Sequence, residues 1–385
     1  MKRMVAALIL IYLANYTFGQ NAIQTKRTGK KIYISKGTDN GRYIGSDWNY
    51  KPGDTFVIRA NNNPYSYLSF DGIHGTEISP VVIINEGSQV KMGNGMAFNN
   101  CTYIKITGTG SKDSYGFYIS DAGSNGVAIQ ISGRSSNIEV SNIDIYKKTY
   151  GFWVKEEASC IDSLQFPNWI ISNISLHNNR IRKVTQEGMY LGSTAPNGER
   201  EIKCNGKTMH PKPLYLSNIK VYNNDIDSTN RSGIQLSCAA SGNNKIYNNH
   251  VSNCGFEFND YQGNGISLGG YTQAHVYDNV ISNTYAIGIL VLGAGFIKIN
   301  NNTINNSGIL AGKRVNGMDG IMVDTRFTKP VDSTVIQITN NRINNYTDYG
   351  IRLYKTCNTY KKDNIISHNT GTINVAEGIS WNGSH

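Results

Sequence analysis

Lys155, Glu187, Arg231, Glu257 and Asp260 carry the side chains that the cleavage of sugar bonds uses. A carboxyl group can protonate a leaving oxygen or take a proton from water, and an Arg or Lys can neutralise a uronate carboxylate while a base removes the C5 proton in a β-elimination. Glu187 stands immediately before Gly188 and Arg231 two residues before Gly233, whereas Glu257 and Asp260 occupy the segment that leads into Gly265. Glu257 and Asp260, with nearby carbonyls, also form a candidate Ca2+ site, because oxygen-rich loops suit a hard cation. Trp153, Tyr190, Gln235 and Tyr271 offer flat apolar faces or hydrogen bonds to a sugar, and Asp324 with Arg326 marks a distal subsite. His250 follows an Asn-Asn pair and is a further proton-transfer candidate.

The elements that must position these groups come from one recurring pattern. Apolar-x-apolar-x-Asn-Asn-x-apolar appears at 174–181, 219–226, 244–251, 274–281 (with Asp for the first Asn), 297–304 and 336–343. Each copy is followed by Gly-apolar-x-apolar, beginning at Gly188, Gly233, Gly265, Gly288, Gly320 and Gly350. Two alternating registers per repeat read as short strands. The second Asn recurs at 179, 224, 249, 279, 302 and 341, with gaps of 45, 25, 30, 23 and 39 residues. A minimum near 23 suits one coil of a right-handed parallel β-helix, and the surplus must be loops. Asn tolerates a left-handed bend and can bond to the Asn one coil away, so the pairs read as a ladder, and Gly reads as the second sharp bend. The expected fold is an all-β, single-stranded right-handed parallel β-helix of roughly 10–12 coils with loop insertions, spanning residues 20–385.

Subtracting the minimal coil places insertions at 156–168, 193–213 and 326–332 after the Gly-led strand, and at 253–263 and 305–318 before it. Both sets flank one sheet and wall a groove. Its floor would be the outward residue of each Gly-led strand: Trp153, Tyr190, Gln235, Ser267, Leu290, Met322 and Arg352. Trp153 and Tyr190 either stack on sugar rings or pack under a loop. Glu187 and Asp319 lie four coils apart, about 19 Å at strand spacing, too far for a catalytic carboxylate pair that needs about 5–10 Å.

Lys2 and Arg3 precede an apolar run from Met4 to Tyr16, which reads as a secretory signal peptide over residues 1–19. No other segment is apolar enough to span a bilayer. The net charge is +10, or +8 without Lys2 and Arg3, in a chain of 385 residues that is 39% hydrophobic. A dispersed basic surface without nucleic-acid-binding motifs points to an anionic polysaccharide and away from nucleic acid, and the protein is expected to be an exported monomer. Of six cysteines, Cys160 with Cys204 and Cys238 with Cys254 are the reachable disulfide pairs, and Cys101 reads as a buried apolar residue.

The segment Pro52-Gly-Asp-Thr-Phe-Val-Ile, with Gly75-Thr and Pro80-Val-Val-Ile-Ile-Asn85, and the coils that follow resemble the pectin-lyase-like superfamily of bacterial secreted β-helix proteins. That resemblance implies a β-helix, and many of its members are polysaccharide lyases or hydrolases. The Asn-Thr-Asp, Asp-Asp and Gly-His-Gly set of polygalacturonases and the Arg-x-Pro-x-x-Arg of pectate lyases are absent. Gln186 to Gly192 is similar to the Gly-Glu-x-Ile-Arg-x-Gly strand of alginate-lyase-like β-helices, with Tyr190 where the Arg would stand. The sequence reading therefore favours a lyase acting on an acidic glycan, with a glycoside hydrolase and a non-catalytic glycan-binding or cell-surface protein as alternatives.

Overall fold

Alternation at Ile174 to His177 buries Ile174 and Leu176, and the same spacing buries Ile219 with Val221 and Ile297 with Ile299. In the computed structural model, which describes residues 29–34, 41–62, 64–120, 126–324, 334–354 and 365–379, such strands stack in parallel one coil above another. Arg326, the signal segment 1–19 and Cys357 lie outside the described residues. Sheet I has thirteen strands, one of them off its main path, which leaves twelve coil positions running from Lys31–Ile34 to Ile365–Ser367.

Each Asn-Asn motif splits at its centre, so a coil carries three strands rather than the two that the repeat suggests. Strands such as Arg180–Val184, Asp225–Thr229 and His250–Cys254 form sheet II, and the Gly-led strands Met189–Leu191, Ile234–Leu236 and Ile266–Leu268 form sheet III. Sheets II and III join at the long strand Val90–Asn99, whose start pairs with Phe117–Ser120 and whose end pairs with Val127–Ser132. The described residues contain two 3-10 turns and no α-helix.

The two residues of the Asn pair divide the labour. The first takes the left-handed conformation, with φ between 53° and 58° at Asn178, Asn223, Asn248, Asn301 and Asn340. The second is buried and bonds along the axis: Asn179 donates to Asn224 at 3.1 Å, and Asn224, Asn249, Asn279 and Asn302 each donate to the next Asn at 2.9 Å. Asn249 also donates to the carbonyls of Val221 and Tyr247 and accepts the Asn224 amide. Asn249→Ala leaves these buried groups without a partner, and the expected loss is about 2–3 kcal/mol of unfolding free energy, read from the denaturant midpoint. A loss below about 0.5 kcal/mol would show that the column does not hold the coils together.

The glycines before the sheet III strands differ from the expectation. None of Gly188, Gly233, Gly265, Gly288 and Gly320 has a positive φ. A Cβ at Gly233 would meet Val251 Cγ1 at 2.4 Å and the Gly265 carbonyl oxygen at 2.8 Å, and its counterparts meet the same groups of their own next coils. These positions are glycine because the next coil passes too close for a side chain, so they pack where a bend was expected.

Candidate active site on sheet III

Sheet III orients its middle residues outward in one register, with Trp153 paired to Tyr190, Tyr190 to Gln235, Gln235 to Ser267, Ser267 to Leu290, Leu290 to Met322 and Met322 to Arg352. The row is as the alternation requires, but it is not an open groove along its length. The 305–318 insertion folds into a hairpin, Ile309–Leu310 against Lys313–Arg314. Val315 and Met318 of this insertion, with Ala286 and Ile287, form a second apolar cluster with Leu290 and Met322. The apolar character of those two floor residues recruited a cover, and the charged cluster lies beside the Trp153, Tyr190 and Gln235 coils.

There, side chains from three consecutive coils converge. Tyr150 and Glu187 hold the same place before their glycines, and Arg231 belongs to the next coil. Glu187 is 3% exposed; burial pushes its carboxyl above the ordinary range, against the pull of Arg231 and Lys155. Its Oε2 is buried without a hydrogen-bond partner. Nη1 of Arg231 lies 3.9 Å from Glu187 Oε1, and its Nε is 2.6 Å from Oε2 of Glu257. Exposure rises outward through this chain of charges, with side chains 3%, 27% and 37% exposed for Glu187, Arg231 and Glu257.

Lys155 is 1% exposed and pairs with Glu157 at 2.5 Å. Its Nζ also lies 3.7 Å from the ring centre of Tyr190 and 4.3 Å from that of Trp153. Tyr190 is consequently covered, at 9% exposure, with Tyr150 6.0 Å away and Trp153 5.2 Å away, while Trp153 remains half-buried. Of the two aromatics read as a stacking platform, only Trp153 keeps that capacity. Burial raises the Tyr150 hydroxyl, and the neighbouring Glu187 raises it further.

The remaining sequence candidates lie elsewhere. Gln235 is in the floor beside Tyr190 but nearly covered. Asp260 sits beside Tyr285. Tyr271 is 6.3 Å from Tyr215 of the sheet I strand Tyr215–Ser217, whose ring stacks on that of Phe166 at 3.9 Å. Asp324 is buried at the far end of Ile321–Val323. His250 faces outward from sheet II, where it meets Asp225 at 3.0 Å. Among the described residues no three His, Cys, Asp or Glu gather to hold a metal ion. The Ca2+ expectation at Glu257 and Asp260 finds no such group, because Arg231 occupies the Glu257 carboxylate.

Loops 156–168 and 193–213 are joined by a disulfide between Cys160 and Cys204. Cys238 and Cys254 do not pair: the first turns at φ 55° and donates its thiol to the Ser193 carbonyl at 2.9 Å, and the second faces the core beneath Gly233. Cys101 is free and buried. Sequence reading passed over Glu157, which holds Lys155 and Arg200, because a loop residue carries no repeat position. Tyr150 could be found only by aligning it with Glu187.

The model of the right handed beta helix region matches residues 127–304 and 255–384, together more than half of the chain. The chain belongs to this family. No curated protein matches it in sequence. A lacto-N-biosidase of the GH136 type from Eubacterium ramulus superposes over 86% of this chain with a TM-score of 0.51 at 11% identity. This β-helix chain spans 63% of that protein's length. An alginate lyase from Paenibacillus sp. str. FPU-7 matches over 91% of this chain and 99% of its own, with a TM-score of 0.38 and 12% identity. A pectate lyase from Bacillus sp. N165 in complex with trigalacturonate matches over 76% and 85%, with a TM-score of 0.40 and 13% identity. At these identities the likeness is one of fold. No helix among the described residues is long and apolar enough to cross a membrane.

Proposed function

We propose that the protein is an exported carbohydrate-active enzyme that hydrolyses glycosidic bonds with Glu187 as the acid and Glu257 as the base. The observation that carries this reading is the sharing of Arg231 by two carboxyl groups in opposite environments. Because Arg231 touches both, at 3.9 Å and 2.6 Å, they lie within about 9 Å of each other, inside the span that glycosidases use. The buried Glu187 favours its protonated form and donates a proton to the leaving oxygen; Glu257, paired with Arg231, accepts one from the attacking water. Trp153 is the platform for the sugar beside these groups.

β-Elimination, which the sequence alone favoured, needs a cation free to neutralise a uronate. In this cluster Lys155 and Arg200 are held by Glu157 and Arg231 by Glu257, so hydrolysis is better supported. A panel of neutral and uronate-containing oligosaccharides is expected to give new reducing ends without the ultraviolet absorbance of an unsaturated uronate; absorbance would establish elimination, and neither signal would leave a binding protein.

The pH profile follows from the direction of the Glu187 shift. An acid must be protonated to act, and a raised pKa extends that form toward neutral pH. Hydrolysis is expected to fall on the alkaline side as pH rises through the raised Glu187 pKa. An alkaline limb in the ordinary glutamate range, about 4.3, would contradict the assignment.

A further inference from the structure

We propose that the outer face of sheet II carries a second binding site, for a glycan bearing carboxylate or sulfate groups, on a different sheet from the Glu187 cluster. A solvent-open cleft of about 310 Å³ there is lined by Tyr118, Tyr146, Arg182, Lys183 and Asp227. Tyr146, Arg182 and Asp227 stand in register on three consecutive coils, and Tyr118 lies on the coil before, opposite Asp144; the four coils span about 14 Å along the axis, room for a short oligosaccharide.

The charges are arranged around one aromatic ring. Arg182, Lys147 and Lys183 lie 5.2, 5.3 and 5.9 Å from the ring centre of Tyr146. Arg180 and Arg182 share the buried Asp144, at 2.7 and 2.9 Å. Asp227, at the far end, accepts hydrogen bonds from Ser228, Ser252 and Asn253. Lys147 and Lys183 are exposed and pair with no carboxylate among the described residues. The cleft thus combines partly exposed tyrosines with two surplus positive charges, the combination that suits a sugar ring carrying an anion.

A separate observation points to the same two lysines. Along the later coils the bend at the end of the sheet II strand is left-handed, and Asn fills it at 253, 283, 306 and 345. Those residues bond to one another in a surface ladder that ends when Asn253 donates to Asp227 at 2.6 Å. Beyond that point the bend residues are Ser228, then Lys183 and Lys147, at φ of 58°, 55° and 54°. A left-handed lysine costs about 1–2 kcal/mol and forgoes the ladder bond, so fold stability alone does not select it. The departure coincides with the cleft, and ligand binding accounts for both.

The test is affinity electrophoresis of the full-length protein in gels containing polygalacturonate, dextran sulfate or unmodified dextran. Retardation is expected with at least one polyanion and not with dextran, and which polyanion retards the protein separates carboxylate from sulfate recognition. The double variant Lys147→Asn, Lys183→Asn installs the residue used at the other bends; it is expected to melt no lower than the parent and to bind about tenfold more weakly. Tyr146→Leu is expected to weaken binding about fivefold. Lys220→Asn with Lys245→Asn on sheet I removes the same charge and is expected to change nothing. Unchanged retention of the Lys147, Lys183 variant, an equal loss in the sheet I control, equal retardation by dextran, or no retardation of the parent protein would each overturn the proposal. None of these readouts depends on hydrolysis at Glu187.

Discussion

Glu187→Gln is expected to lower the hydrolytic rate constant about a hundredfold to ten-thousandfold while leaving the melting temperature within a few degrees of the parent. The amide has nearly the same shape and cannot ionise, so the buried site is not strained. Glu187 already favours its neutral form because burial penalises the carboxylate. What the amide loses is the transferable proton, and the defect should appear in kcat rather than KM. Glu257→Gln should also lower kcat. Wild-type turnover in Glu187→Gln on a hydrolysed substrate would remove the Glu187 assignment; a matching fall in melting temperature would assign the residue to packing.

The largest stability effect is expected at the other end of sheet III, where Arg352→Ala should cost about 3–5 kcal/mol. Arg352 approaches fully buried Asp319 with Nε at 2.7 Å and Nη2 at 2.8 Å, and it also reaches Asp348 and the Tyr354 hydroxyl. Removing the guanidinium leaves Asp319 with the Tyr349 amide, 3.0 Å away, as its remaining donor among these contacts. Burial pushes the Asp319 carboxyl up to about 7 even with Arg352 opposing it, so without Arg352 the rise must be larger. A carboxyl whose folded pKa is raised contributes most below its unfolded value and loses that contribution as pH rises through the folded value. The Arg352→Ala penalty should therefore be greater near about pH 8 than near about pH 5 in chemical denaturation, and a pH-independent penalty would contradict a buried pair. Arg352→Ala together with Asp319→Ala should recover part of the loss, because no charge is then stranded.

The parts of the candidate site that could be read in advance are those tied to the repeat. Glu187 and Arg231 have fixed offsets from Gly188 and Gly233, so stacking of equivalent positions brings them side by side, and Glu257 lies in the loop entering the next coil. Asp260, three residues further along that loop, meets Tyr285, a contact that no repeat position announces. Tyr190, read as either a sugar-stacking face or a covered one, was decided by packing. Alternation says that it points away from the core, but not that Lys155 from the preceding coil will lie across its ring.

The sequence by itself determined the solenoid. A β-helix makes each coil's contacts with its immediate neighbours, so the recurrence of Asn179, Asn224, Asn249 and Asn279 translates directly into a hydrogen-bonded column, and the inward rows of Ile, Leu and Val into a core. Only the tertiary structure decided how the insertions return to that scaffold. The hairpin over Leu290 and Met322 and the pairing of Glu157 with Lys155 and Arg200 depend on contacts of inserted segments whose spacing carries no period. Periodic residues have their neighbours set by the coil; loop residues have theirs chosen by packing and charge.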